Sequence, residues 1–264
     1  MTTFHHALRR RFVFRSLAAW LAAGSMATAA MPVALAQEGA AAASRTPTGK
    51  VPAAVSVLSI VEHPSLDALR DGLHDELKDA GYQDGKSLHW AYQSAQGNQG
   101  TAVQIARKFV GDRPDVIVPI ATPAAQAVVS ATHQIPVVYN AITDPIAAQI
   151  VKSMAPSGTN VTGVSDKLVA DRQGAFIKRV VPDVKRVGII YSPAEANSVS
   201  ATREMKVALE KQGISLVEVA APRSIDVGQA AQRLVGKVDV IYTSNDNNVI
   251  SAYESVIKVA NAAK

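Results

Sequence analysis

Five short segments carry side chains suited to gripping a small polar solute. They are Glu62-His63-Pro64, Ala121-Thr122-Pro123-Ala124-Ala125, Asn140-Ala141-Ile142-Thr143-Asp144-Pro145, Ser192-Pro193-Ala194-Glu195-Ala196-Asn197-Ser198 and Ser244-Asn245-Asp246-Asn247. Their polar residues stand where a helix is about to start. Helix capping alone favours such residues by about 1 kcal/mol each, so any one segment reads first as a cap. Five of them on the ligand-facing edges of two lobes point to binding: Glu62, Thr122, Thr143, Ser192, Asn197, Asn245 and Asn247 become candidate contacts. Thr122-Pro123 is the most pointed pair. Proline at the first helical position leaves the next amides free beside a hydroxyl, a setting that receives a carboxylate. Asp144 and Asp246 are candidates for a cation such as an α-ammonium, and equally for caps. His63 either stacks on a ligand ring or caps a helix.

Catalytic signatures are missing. Gly81 to Ser87 has three residues between its glycines instead of four, and it lies between a helix and a strand, the reverse of a phosphate loop. There is no G-x-S-x-G elbow, H-E-x-x-H helix or G-x-G-x-x-G turn. Two of the six histidines fall in the first 36 residues and the rest are scattered, so no local metal signature exists. No cofactor is expected.

The elements that must position the five segments follow from periodicity. Val55 to Val61 is a short apolar, β-branched run and predicts a buried strand. Leu66, Leu69, Leu73 and Leu77 make one stripe of a helix over 65–80, ended by Gly81. Strands are predicted over 88–93, 115–120 and 135–139, with helices over 101–110 and 123–132. The order then restarts, with strands over 186–191, 214–219 and 238–243 and helices over 198–212, 226–235 and 249–263. A helix over 171–181 opens this second half. Strands joined by helices are parallel, which predicts an α/β fold of two Rossmann-like lobes. The expected divisions are a leader over 1–36, a flexible tether over 37–52, a first lobe over 53–162 and a second over 163–264. The second lobe has three strands by this count and ends at a helix, so it reads as incomplete.

Of 264 residues, 48% are hydrophobic and 19% charged, enough for a globular core. Four of the 27 basic residues are Arg9, Arg10, Arg11 and Arg15. Without the leader, 23 basic residues face 22 acidic ones. The formal charge of +5 is therefore no argument for nucleic acid. The leader itself has a basic region, an apolar segment over 16–30 and Ala34-Leu35-Ala36 before Gln37, the pattern of a cleavable export signal. Its arginines loosely resemble a twin-arginine signal. With no cysteine there is no disulfide and no lipid-modified cysteine, and a free periplasmic protein is expected.

Ile60 to Asp67, Ala121 to Gln126, Thr143-Asp144-Pro145, Asn160-Val161-Thr162-Gly163-Val164-Ser165-Asp166 and Asp246-Asn247 together resemble the ABC-transporter substrate-binding family whose best-understood members bind tryptophan, tyrosine or phenylalanine. The resemblance spans 55–264. It implies a type I periplasmic binding fold, with a ligand cleft between two lobes. It implies that Thr122, the amides of Ala124 and Ala125, Ala141 and Thr143 hold the ligand carboxylate, and that acidic or amide residues of the second lobe hold the amine. The expected mechanism is hinge closure on an aromatic amino acid, which the protein, expected to be a monomer, delivers to a permease and its ATPase. A sensory module of the same fold and a periplasmic enzyme are the rival readings.

Overall fold

Val55, Ser56, Val57, Leu58 and Ser59 are buried in succession, so β1 (Ala53–Ser59) is covered on both faces. That is the condition of a central parallel strand. The computed structural model describes residue 49 and residues 51–156 and 158–263. The leader and almost all of the tether lie outside the described residues.

The first sheet comprises β2 (Leu88–Ser94), β1, β3 (Val116–Ile120), β4 (Val137–Ile142) and β5 (Val161–Ser165) in that order, all parallel. Three helices cross between its strands: α1 (Pro64–Asp79), α2 (Gln99–Asp112) and α3 (Thr122–Ala131). Their apolar faces close one core around Phe109, Ile117, Ile120, Val128 and Ile142. The leucine stripe of α1 behaves as expected, with Leu66 buried and Leu69, Leu73 and Leu77 packed against that core. Gly81 stands at φ +93° just past α1. The Gly81 and Tyr82 amides reach back to the Lys78 and Leu77 carbonyls, a Schellman closure that needs the left-handed conformation glycine supplies.

β5 is an element the periodicity did not predict. Its residues 161–163 pair with 137–139 of β4, and Ser165 pairs with Ile142 across a bulge. The expected lobe boundary after Thr162 therefore falls inside a strand of the first sheet. Gly163 is required there: a Cβ at that position would collide with the Tyr139 carbonyl and lie 2.5 Å from its ring.

The second sheet has three described strands, β7 (Ser215–Ala220), β6 (Arg186–Tyr191) and β8 (Val240–Tyr242), in that order and parallel. One face is covered by α6 (Val227–Leu234) and α8 (Tyr253–Ala262), around Ile190, Leu234 and Val256. The other is covered by α4 (Ala170–Val180) and α5 (Ala196–Glu210), around Val187, Met205 and Leu209. The single helix expected over 249–263 is two helices, α7 (Asn247–Ser251) and α8, broken at Ala252.

Both strand orders reverse at one place. The first sheet grows outward from β1 to β2 on one side and to β3 on the other; the second grows from β6 to β7 and to β8. A crevice opens beyond the carboxyl ends of the strands at such a switch point, and ligands of open α/β sheets bind there. Residues 60–63 and 121–123 border the first crevice, and 192–197 and 243–247 the second.

Candidate functional site

Four of the five polar segments border these two crevices, and the fifth follows β4 beside the first. His63 is the residue before α1, in extended conformation, and its side chain caps nothing. It is 6% exposed, and neither ring nitrogen has a partner. Burial lowers its pKa, opposed in part by Asp67, so the imidazole is held neutral. Thr122 is the first residue of α3 and 1% exposed, with its hydroxyl unpartnered. Ala121, just before it, is held at φ +74°, an unfavourable conformation for a residue with a Cβ. Buried polar atoms are normally satisfied, and an exception calls for a cause. Two exceptions on neighbouring loops of one switch point mark a place where a polar partner belongs.

On the second lobe Asn197 sits in the first turn of α5, 2% exposed. Its Nδ2 donates to the Asn245 carbonyl at 2.7 Å and to Glu195 Oε2 at 3.1 Å, while Oδ1 has no partner. Ser244 adds another buried, unpartnered hydroxyl. The start of α5 meets the first lobe directly: Ala196 packs on the first core, and Gln99 Nε2 donates to the Ala194 carbonyl at 3.0 Å. Asn197 thus stands beside the stretch where the second lobe abuts the first, and Thr202, further along α5, carries another buried unpartnered hydroxyl. A small hollow of about 20 Å³ lined by Thr143, Ser244 and Asn245 occupies the same junction. Larger hollows, of about 570 Å³ beside β8 and α8 and about 430 Å³ along 167–171 and α5, include none of the buried unpartnered atoms. They are surface grooves, and volume is a poorer guide here than unsatisfied polarity.

Several expected contacts are otherwise engaged. Asp246 accepts from the Ser192 amide at 2.6 Å, the Ser192 hydroxyl at 2.9 Å, the Ser198 hydroxyl, and the Val249 amide at 2.9 Å as the cap of α7. Four donors fill its lone pairs, which corrects the expectation of an ammonium site. Ser192 is consumed by the same network and by Asn248. Asp144 caps the turn at Ala147 and accepts from Lys167 and Ser200, both at 3.3 Å. These donors hold its pKa low despite burial, and it too is no free ammonium site. The Ala125 amide is already bonded to the Ala121 carbonyl, and the Ala141 amide to the Asn140 side chain at 2.9 Å. Glu62 is exposed and accepts from Gln96 at 3.1 Å and Tyr92 at 3.4 Å. Thr143 bonds Asp166 through its hydroxyl, Asn245 Nδ2 reaches the same carboxylate at 2.9 Å, and Asn247 Nδ2 reaches Glu195 Oε2 at 2.6 Å. Ala124 is fully buried in the first turn of α3.

Two acids not singled out from sequence stand out. Asp166, between β5 and α4, ties Thr143 of the first lobe to Asn245 of the second, and burial raises its pKa. Glu195 is 5% exposed beside Asn197 and Asn247. Burial, and then the neighbouring Asp246, push its pKa up to about 7. Among the described residues no group of three His, Cys, Asp or Glu could hold a metal ion.

Comparison with known proteins accords with this geometry. Residues 54–264 match the model of the family described as ABC transporter substrate binding protein. Over 210 residues the chain is 40% identical to a tyrosine-binding protein of Clostridioides difficile (strain R20291), covering 80% of this chain and 61% of that one. The chain thus spans less than two thirds of that relative's length. A Streptococcus pneumonia ABC domain solved in complex with L-Trp is 36% identical, with a TM-score of 0.77 over 80% of this chain and 71% of that one. A ligand-free, open substrate-binding protein from Clostridium difficile is 37% identical, with a TM-score of 0.57 over 80% and 72%. At near-equal identity and coverage the chain superposes better on the tryptophan complex than on the open form. With two parallel-sheet lobes of the type I periplasmic binding fold, the chain belongs to the ABC transporter substrate-binding protein family.

Proposed function

We propose that this protein captures an aromatic L-amino acid between its two lobes and presents it to the membrane components of an ABC importer, as a periplasmic monomer. The observation that carries this reading is the set of buried, unpartnered polar atoms on both sides of the lobe junction. His63 and Thr122 stand on the first lobe and Asn197 on the second. The ligand carboxylate meets the Thr122 hydroxyl and the Ala124 amide at the positive end of α3. The neutral His63 ring offers a face to the aromatic side chain. Asn197 and its neighbours take the amine. The tyrosine-binding relative and the tryptophan complex support the ligand class, and the poorer fit to the ligand-free, open relative supports a closed arrangement here. Closure is favoured because only the closed state makes both sets of contacts with one ligand.

Titration calorimetry with L-tryptophan, L-tyrosine and L-phenylalanine, set beside L-leucine and D-ribose, tests the ligand class. Micromolar or tighter binding of at least one aromatic amino acid is expected, about −8 kcal/mol or better. Heat only with leucine or ribose would overturn it.

A further inference from the structure

The chain passes from the first lobe to the second between β5 and α4, and Lys167 stands in that crossing. Its Nζ lies 3.3 Å from Asp144 Oδ2 and 2.8 Å from Glu204 Oε1. These carboxylates belong to different lobes: Asp144 follows β4, and Glu204 is on α5. Ser200 of α5 adds a direct bond between the lobes, its buried hydroxyl donating to the same Asp144 oxygen at 3.3 Å. The Asp144 and Glu204 side chains are 16% and 32% exposed, so solvent screens the cluster only in part. The bond to Glu204 raises the Lys167 pKa, burial opposes it and Asp144 adds to the rise. The ammonium therefore stays charged. Two like charges brought together repel, and a cation held between them turns the repulsion into attraction. Separating the lobes draws Glu204 and Ser200 away from Asp144. Closing them returns one acid from each lobe to a single ammonium. Lys211 and Arg203 line the same groove, yet neither replaces Lys167. Lys211 pairs with Asp171 inside the second lobe at 3.5 Å, and Arg203 bonds neither acid among the described residues.

We propose that Lys167 is a latch: by joining Asp144 to Glu204 it holds the two lobes together before any ligand arrives, and so strengthens capture of a ligand it never touches. It is a positioning residue, acting through the carboxylates of the two lobes. The inference rests on the reading that the lobes close around their ligand, and it adds what sets the balance between open and closed. A chain that is already partly closed spends less of its binding energy on closure, so affinity follows the strength of the latch. The same balance answers to salt, which weakens partly exposed ion pairs.

The chain has no cysteine, so spin labels can be placed at Gln104→Cys on α2 and Lys258→Cys on α8, both exposed positions. Label separation is measured without ligand in the otherwise unchanged full chain, in Lys167→Met, and in Lys167→Met/Glu204→Gln, which also removes one of the two repelling charges. The unchanged chain is expected to show a short distance matching its L-tyrosine-saturated form, beside a longer one. Lys167→Met should shift the balance toward the longer distance about fivefold, and the double variant should recover most of that shift. Saturating L-tyrosine should return Lys167→Met to the short distance, as a folded but shifted protein must. Calorimetric affinity for L-tyrosine should follow, about fivefold weaker in Lys167→Met and within about twofold of wild type in the double variant. A purely structural role for Lys167 would give no rescue by Glu204→Gln. An unchanged distance balance in Lys167→Met, or a double variant as open as the single one, overturns the latch and leaves the amino-acid reading standing. If wild type does not bind L-tyrosine, that reading fails, while the ligand-free comparison of the three proteins still decides the latch.

Discussion

At the scale of single residues, the geometry separates polar side chains that hold the fold from those that wait for a partner. Asp246 and Asp144 look alike in sequence to Thr122 and His63, yet the first two are saturated and the last two are bare. Local sequence could place all four on helix-initiating loops. It could not show that Asp246 would be met by Ser192, 54 positions away. Nor could it single out Glu195, whose partner Asn247 and charged neighbour Asp246 lie more than fifty positions along the chain. Burial leaves a signature in stability. The folded pKa of Glu195 is raised above its unfolded value of 4.5 to about 7. The folded state therefore binds the proton more tightly, and the cost of Glu195 grows as pH rises from 4.5 and is complete above 7. His63, whose folded pKa is lowered, acts oppositely, costing stability as pH falls below 6.5. Comparing wild type with Glu195→Gln isolates the first effect. Without ligand, the variant should be the more stable by about 2–3 kcal/mol at pH 8, with the gap closing toward pH 5. Scanning calorimetry at several pH values measures it, and a gap independent of pH would contradict it.

At the scale of elements, most strands and helices were legible because their signals are local. The leucine stripe of α1, the glycine stop at Gly81 and the β-branched runs of β1 and β6 each act within one element. β5 was not legible: Val161-Thr-Gly-Val-Ser165 is short, contains a glycine and gains its strand character from pairing with β4. The break between α7 and α8 at Ala252 carries neither glycine nor proline. β5 matters because the chain leaves it for the second lobe through Asp166 and Lys167. Lys167 reaches Asp144 at 3.3 Å and Glu204 of α5 at 2.8 Å, so the strand's exit is tied to both lobes. Gly163 pairs with Tyr139, whose carbonyl and ring leave no room for a Cβ there. Gly163→Ala should cost about 1–3 kcal/mol, as overpacking does, lowering the denaturant midpoint at constant slope. An unchanged midpoint would contradict the close approach of the Tyr139 backbone to Gly163.

At the scale of the whole molecule, two sheets of like construction each have a switch point, and His63, Thr122, Asn197 and Ser244 leave bare polar atoms on the loops and helix starts beyond their strands. Under the proposed function that arrangement lets binding drive closure, because neither lobe alone satisfies a zwitterion with an aromatic ring. The first lobe offers donors and a helix N-terminus, the second acceptors and negative charge. The central claim is that one ligand is gripped from both sides. Titration of L-tyrosine into wild type, Thr122→Ala and Asn197→Ala tests it most directly, each variant removing a side chain from a different lobe. Both substitutions should weaken binding by about tenfold, near 1.4 kcal/mol each, at an unchanged stoichiometry of one. Full affinity retained in either variant would place the ligand on a single lobe and contradict the account.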